Sequence, residues 1–529
     1  MESAESESSN VGSGYASYAT GVLLLVYVFN FIDRQIISIL AEEIKADLGI
    51  SDAQIGFLYG TAFAVFYAVF GLPLGKLADS WTRKNLISIG LAFWSLMTAL
   101  SGTARSFTSL AAYRIGVGIG ESSATPAAFS MLSDYFPPRV RATVLSIYSS
   151  GGYIGLGIGI FLGGWIVDGW NSAYPDPTLA PLGLKAWHVA YLVVGVPGLL
   201  MAAWVFTLRE PVRGQSEGIV SETNPHPFRE AWSELMAVLP PFTLLTLVRS
   251  GSGIRGIRRN LLGAFLIATA AWGFIAVTGD PEQWIALGIG SYAALSWVQA
   301  LALRDPTTFG MMFRSKAFVY AVLGFPTISL VTYTIAFWTP PFFMRVHGIS
   351  IAEAGTVLGI SAAIGGWLGI TLGGIVSDWL KIRTGNARVY VGLGTVALSI
   401  PVVLGLLITE NLIMAYVFNF AIAVFSSCWI GAAASTVNDL VIPRMRGIAS
   451  AFYILMATVG LALGPYAVGE ISDVLAVAGM DAGESLRRSM MMSIVLLVIP
   501  GTFLVLLLRH LIPEEANRLD RARAAGEPV

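Results

Sequence analysis

One segment of this chain occurs twice. Asp134, Pro138, Arg139, Arg141, Tyr148, Gly155, Gly159, Gly164, Ile166 and Asp168 return without a gap, about 305 positions later, as Asp439, Pro443, Arg444, Arg446, Tyr453, Gly460, Gly464, Gly469, Ile471 and Asp473. A second stretch, Gly75-Lys76-Leu77-Ala78-Asp79 with Arg83 and Lys84, comes back more weakly as Gly374-Ile375-Val376-Ser377-Asp378 with Arg383. Chance hardly produces such a match, so the chain consists of two related units with the same order of elements.

The elements are apolar. Hydrophobic residues make up 55% of the 529 positions and charged ones 12%, with mean hydropathy +0.70, well outside the balance of a soluble protein. A hydrocarbon core about 30 Å thick is crossed by about 20 helical residues, and such runs recur. In the first unit they lie near residues 17–40, 53–75, 86–104, 107–132, 143–167 and 187–208; in the second near 317–340, 352–377, 389–409, 411–436, 448–471 and 489–509. Six runs per unit predict an all-α polytopic membrane protein. Its two six-helix bundles are related by a pseudo-twofold axis along the membrane normal, with the substrate site between them. Two more apolar runs, 261–279 and 284–303, are separated by Gly279-Asp280-Pro281-Glu282 and are long enough for an extra hairpin, whether it spans the membrane or lies on its surface.

The domain plan is therefore an acidic tail (1–16), a first bundle (17–208), a linker (209–316), a second bundle (317–510) and a C-terminal tail (511–529). Most of the Lys and Arg residues fall on one side of this topology, which places both termini in the cytoplasm. Because two crossings preserve parity, the extra hairpin leaves that orientation unchanged. The start is acidic and Ser-rich, and the first run contains Asp33 and Arg34, so it reads as a retained helix rather than a cleaved signal. In the linker, Pro225, Pro227, Pro240 and Pro241 surround Trp232, Leu235, Met236 and Leu239 at helical spacing, followed by Arg255, Arg258 and Arg259. That pattern fits either a helix in the headgroup plane beside anionic lipid or a solvated loop.

Several chemistries drop out. A lone cysteine, Cys428, supports neither a disulfide framework nor a zinc cluster, and His188, His226, His347 and His510 are too scattered to hold a metal. No cofactor is expected. Net charge is -1 and no basic patch interleaved with aromatics stands outside the short loops, which argues against nucleic acid. No nucleophile, base and oxyanion donors form a set, so an enzyme is not expected.

Charge inside a bilayer is costly and faces a cavity or a partner. Asp33, Arg34, Arg114 and Glu121 qualify, all in the first unit. Counted from the helix ends, Asp33 and Arg114 lie at similar depth, which suggests that they pair. Arg114 and Glu121, seven apart, share a helical face, leaving Glu121 the less obviously paired carboxylate. Burial favours a neutral carboxyl and an arginine partner an ionised one, so a conformational change that alters the pairing would move a proton at Glu121 and Asp33. The bland reading is a fixed ion-pair network that fastens two helices. Arg34, with its planar fork, suits a phosphate or carboxylate head group unless a neighbouring acid consumes it. The second unit offers Tyr333, Trp338, Asn419, Ser426, Trp429 and Tyr453 as a mainly apolar, weakly polar wall, although aromatic residues of membrane helices more often simply pack.

The Gly75-x-Leu77-Ala78-Asp79-x-x-x-Arg83-Lys84 loop, its second copy and the glycine-rich fifth and eleventh helices resemble the major facilitator superfamily over nearly the whole chain. Phe31-Ile32-Asp33-Arg34, Arg114-x-Gly116-Val117-Gly118-x-Gly120-Glu121 and Ser133-Asp134-Tyr135-Phe136-Pro137 resemble its spinster-like branch. The resemblance implies coupling at the intramembrane carboxylates. It also implies a conformational latch in which Asp79, with Arg83 and Lys84 supporting the loop, faces the N-terminus of helix eleven near Gly447, and Asp378, with Arg383, does the same for helix five near Ala142. Together with the asymmetric cavity it implies a proton-coupled carrier of a lysophospholipid or related lipid-like anion, in a bacterial inner membrane and as a monomer, with small substrate, protons and membrane lipids as its partners. A carrier of small soluble organic anions is the alternative, and a transporter-derived sensor or a lipid scramblase belongs to a different class.

Overall fold

The computed structural model describes residues 13–214, 216, 225–239, 242–249 and 253–527. The tail up to residue 12 and the Pro240-Pro241 pair lie outside the described residues. The first bundle holds helix one (Ser13–Leu48), helix two (Asp52–Tyr59 continued as Thr61–Ser80), helix three (Arg83–Ser101), helix four (Phe107–Glu121 continued as Ala124–Tyr135), helix five (Pro138–Ala173) and helix six (Ala186–Phe206). The second holds helix seven (Lys316–Gly324 continued as Ile328–Val346), helix eight (Ile351–Lys381), helix nine (Ala387–Ile408), helix ten (Leu412–Phe425 continued as Trp429–Asp439), helix eleven (Arg446–Val477) and helix twelve (Ala482–Ser493, continued through a 3-10 turn as Val498–Ala516). Between the bundles come a short helix, Pro227–Val238, a second, Phe242–Arg249, and a long hairpin, Gly253–Thr278 and Pro281–Arg304.

Twelve helices among the described residues are long and apolar enough to cross a membrane, and both hairpin helices are among them. Helices three and four are not. Helix three begins with Arg83 and Lys84, while helix four carries Arg114 and Glu121 and is broken at Ser122 and Ser123. Packing inside the bundle, rather than hydropathy, holds these two in place. Helix ten breaks at the matching point of its own repeat, after Phe425. The broken turns expose carbonyls, and local hydroxyls take them up: Ser123 Oγ donates to Gly120 O at 2.8 Å and Ser427 Oγ to Ala423 O at 2.8 Å. Where no water competes, freed backbone must find such partners.

The repeated glycines have two different jobs. A Cβ on Gly155 would lie 2.3 Å from Val28 O, and one on Gly460 2.7 Å from Leu330 N, so these glycines seat helix five on helix one and helix eleven on helix seven within each half. Farther along, a Cβ on Gly164 would lie 2.5 Å from Ile351 O of helix eight, and one on Gly469 2.2 Å from Asp52 O of helix two. Those contacts cross between halves. Small residues permit such approach where lipid supplies no hydrophobic drive for association. Pro465, beside Gly464, sits inside a continuous helix eleven, and its carbonyl accepts from Trp338 Nε1 at 2.9 Å.

Candidate substrate path and charge site

We call the side on which helix one begins the terminal face and the other the distal face. Helix seven carries Pro340 and Pro341, which lack the N–H groups that would bond Ala336 O and Phe337 O four residues back. Helix one supplies the missing donors: Gln35 Nε2 reaches Ala336 O at 3.3 Å and Ser38 Oγ reaches Phe337 O at 2.8 Å. A proline pair in one half thereby fixes the register of a helix in the other.

Nearer the distal face, Arg345 at the end of helix seven bonds both carboxylates of the first half that face it. Its Nη2 lies 2.7 Å from Glu42 Oε1 and 2.7 Å from Asp52 Oδ1, and Lys45 also pairs with Asp52. Asp473 caps the N-terminus of helix two, accepting from Asp52 N at 3.0 Å and Ala53 N at 2.7 Å. A carboxylate at a helix N-terminus meets both the unbonded amides and the positive end of the dipole. Glu42, Asp52 and Arg345 were not singled out from sequence, although Asp473 belongs to the repeat. A basic residue ending helix seven, opposite acids ending helix one, was the available signal.

In mid-bundle, Arg34 Nη2 donates to Glu121 Oε2 at 2.7 Å and to Asn30 Oδ1 at 3.4 Å. Glu121 is fully buried and Arg34 nearly so. The guanidinium also lies 4.8, 4.4 and 5.3 Å from the ring centroids of Phe31, Phe63 and Tyr67, an aromatic surround that favours a cation electrostatically. Tyr27 stacks on Tyr148 at 4.5 Å, and Tyr333 from the second half is close enough to Arg34 to interact with it electrostatically.

The expected pairing is exchanged. Asp33 and Arg114 are not joined side chain to side chain; Arg114 instead donates to the backbone oxygens of Asp33 at 3.1 Å and Leu58 at 3.3 Å. Leu58 stands in the last turn before the break at Gly60, where carbonyls lose their intrahelical donors, and this draws the guanidinium away. Arg34 is one residue past Asp33, about 100° further round helix one, and meets Glu121. The Asp33 carboxylate is fully buried with neither oxygen hydrogen bonded, and Trp94 and Thr98 of helix three face it.

The remaining candidates of the second half are spread along the path. Trp338 is fully buried at the helix seven–helix eleven contact. Asn419 is buried, and Ser426 Oγ donates to Ala423 O at 3.4 Å beside the break of helix ten. Trp429 is buried with its indole N–H unbonded, and Tyr453 stands half-buried near Tyr153 and Tyr333.

At the terminal face the repeated loop is tied to its own half and to the start of the linker. Arg83, fully buried, pairs with Asp134, bonds Glu210 at 2.7 Å through Nε and donates to Pro211 O at 2.7 Å; Lys84 Nζ reaches Phe206 O at 3.2 Å. Asp79 has Lys76, Arg213 and Arg83 as its neighbouring charges, and open space surrounds Gly447 at the start of helix eleven. Arg383 stacks over Trp379 at 4.1 Å, and Asp439 bonds Arg388 at 2.5 Å. In this conformation the halves are fastened at the distal face, and no hydrogen bond among the described residues joins Asp79 to the start of helix eleven.

Comparisons agree with this architecture. Protein spinster homolog 1 of Bos taurus is 25% identical over 483 residues, covering 88% of this chain and 74% of that protein. An MFS-type efflux pump of Mycolicibacterium smegmatis is 24% identical over 457 residues, covering 86% and 84%. The probable galactarate/D-glucarate transporter GudP of Escherichia coli is 23% identical over 466 residues, covering 85% of each. A bacterial homologue of the human lysosomal transporter spinster, crystallised inward-facing and unoccupied, superposes with a TM-score of 0.71 at 25% identity over 95% of this chain and 99% of that one. The Major Facilitator Superfamily signature matches residues 23–465. With two six-helix halves and this signature across most of its length, the chain is an integral membrane transporter that belongs to the Major Facilitator Superfamily.

Proposed function

We propose that this transporter is proton-coupled and moves a lipid-like anion of the lysophospholipid class by alternating access, with its terminal face in the cytoplasm of a bacterial inner membrane. The observation that carries the reading is the buried Arg34–Glu121 pair, set at 2.7 Å among Phe31, Phe63 and Tyr67. Arg34 provides a planar donor fork for an anionic head group, and the aromatic surround suits an apolar chain. An incoming anion competes with Glu121 for Arg34, and a carboxylate that loses its guanidinium in a water-poor site takes up a proton. The neutralised site then passes between the two faces. Asp33, buried without a bonded partner, is a second place for that proton. With the terminal face cytoplasmic, the present conformation is inward-facing, and Asp79 and Asp378 take their latching partners only when that face closes.

A second reading, a carrier of small organic anions, is supported by the similarity to a sugar-acid transporter. Uptake into proteoliposomes separates the two. We expect saturable movement of a labelled lysophospholipid that accelerates with an imposed pH gradient. Gradient-driven uptake of a labelled hexarate alone would transfer the assignment to organic anions, and fast bidirectional lipid movement without saturation would mark a scramblase.

A further inference from the structure

Most cationic groups near the terminal face are spoken for by protein. Arg304 bonds Glu234 at 2.5 Å, Arg388 bonds Asp439 at 2.5 Å, and Arg444 bonds Asp305 at 2.8 Å while also pairing with Glu527. Asp305 lies at about 2: burial pushes its carboxyl up, but hydrogen bonds from Arg444 and Thr308 outweigh that, so this neighbouring acid stays committed. Arg255, Arg258 and Arg259, on the first turns of the hairpin helix Gly253–Thr278, are exposed, and no hydrogen bond or ion pair engages them among the described residues. Their spacing of three and four places them together on the helix surface. Beside them Asn260 bonds Gln299 at 2.8 Å and Ser296 at 3.4 Å. Ser296 forms one wall of a shallow cleft of about 40 Å³, which Thr243, Thr246 and Leu303 help to line. Phe228, Trp232, Leu245 and Val248, on the two short helices that lead into the hairpin, are exposed apolar groups of the kind that sit in a headgroup layer.

We propose that Arg255, Arg258 and Arg259, with the adjoining cleft, form a binding surface for the phosphate head group of an anionic membrane lipid. Three unneutralised guanidiniums supply the complementary charge, and the aromatic and aliphatic groups hold the surface at the right depth. The test is lipid retention. Protein reconstituted in phosphatidylcholine with a minority of phosphatidylglycerol is extracted, and the ratio of the two lipids that stay bound is read by mass spectrometry. At about fivefold per arginine, the triple Arg→Gln variant should lose phosphatidylglycerol affinity roughly 100-fold, with an unchanged thermal unfolding midpoint, whereas the triple Arg→Lys variant keeps most of it. Unchanged enrichment in the glutamine variant, or none in the parent protein, overturns the proposal.

Discussion

Glu121→Gln is expected to reduce pH-gradient-driven accumulation in proteoliposomes to the level of protein-free vesicles while leaving substrate exchange at equal pH. The substitution keeps the size of the side chain and an oxygen that can accept from Arg34 at the present 2.7 Å, but it cannot gain or lose a proton. Arg34 is not stranded by the change, because Asn30 and the rings of Phe31, Phe63 and Tyr67 remain around it. Folding should therefore survive. Arg34→Ala tests the other member of the pair: it leaves the buried Glu121 carboxylate without its partner, a loss of about 3–5 kcal/mol, and should remove exchange as well as gradient-driven uptake. Full gradient coupling in Glu121→Gln would take Glu121 out of the proton path and leave the pair as a structural fastener of helices one and four.

Arg345→Ala is expected to unfasten the distal face. The arginine is mostly buried and bonds Glu42 and Asp52 at 2.7 Å each, and Asp52 is itself buried. Breaking a buried pair from one side costs about 3–5 kcal/mol when the remaining charge is left uncompensated, and the cost is smaller here because Lys45 still pairs with Asp52 and Glu42 is partly exposed. Here the halves can separate and let water reach Asp52, so the cost falls on the closed state alone. The distal-open population should rise by a factor on the order of 10. Spin labels at the distal ends of helices one and seven would report it as a new, longer distance, with Arg345→Lys intermediate because one ammonium cannot span both acids as the planar fork does. Unchanged distances would mean that Asp473 and the close contacts of Gly469 hold this face without the arginine.

The intramembrane charges were legible because a bilayer tolerates few charges and each needs a reason. Their pairing was not. Counting depth along helices one and four matched Asp33 with Arg114, but depth fixes only one coordinate. Arg114 was claimed by the Leu58 carbonyl, released by the break at Gly60, and the break was not read from sequence. The same applies to Gln35 and Ser38, whose partners are carbonyls that Pro340 and Pro341 set free in the other half. A proline announces an unbonded carbonyl four residues back; only the packed structure says which side chain reaches it.

Helices three and four mark the converse limit. Their runs could be placed from sequence because they fall between better-defined neighbours in a repeated six-helix unit, even though neither is apolar and continuous enough to stand out as a span. Sequence by itself determined the membrane environment, the doubled architecture and the confinement of interior charge to the first half, since hydropathy, spacing and charge are local properties that survive any arrangement of the helices. Tertiary structure decided which arginine meets which acid, which glycines face the seam, and that the halves are clasped at the distal face by Arg345 and Asp473. Those outcomes depend on the rotation of each helix about its axis and on backbone groups freed at breaks, which are fixed only when the helices pack against one another.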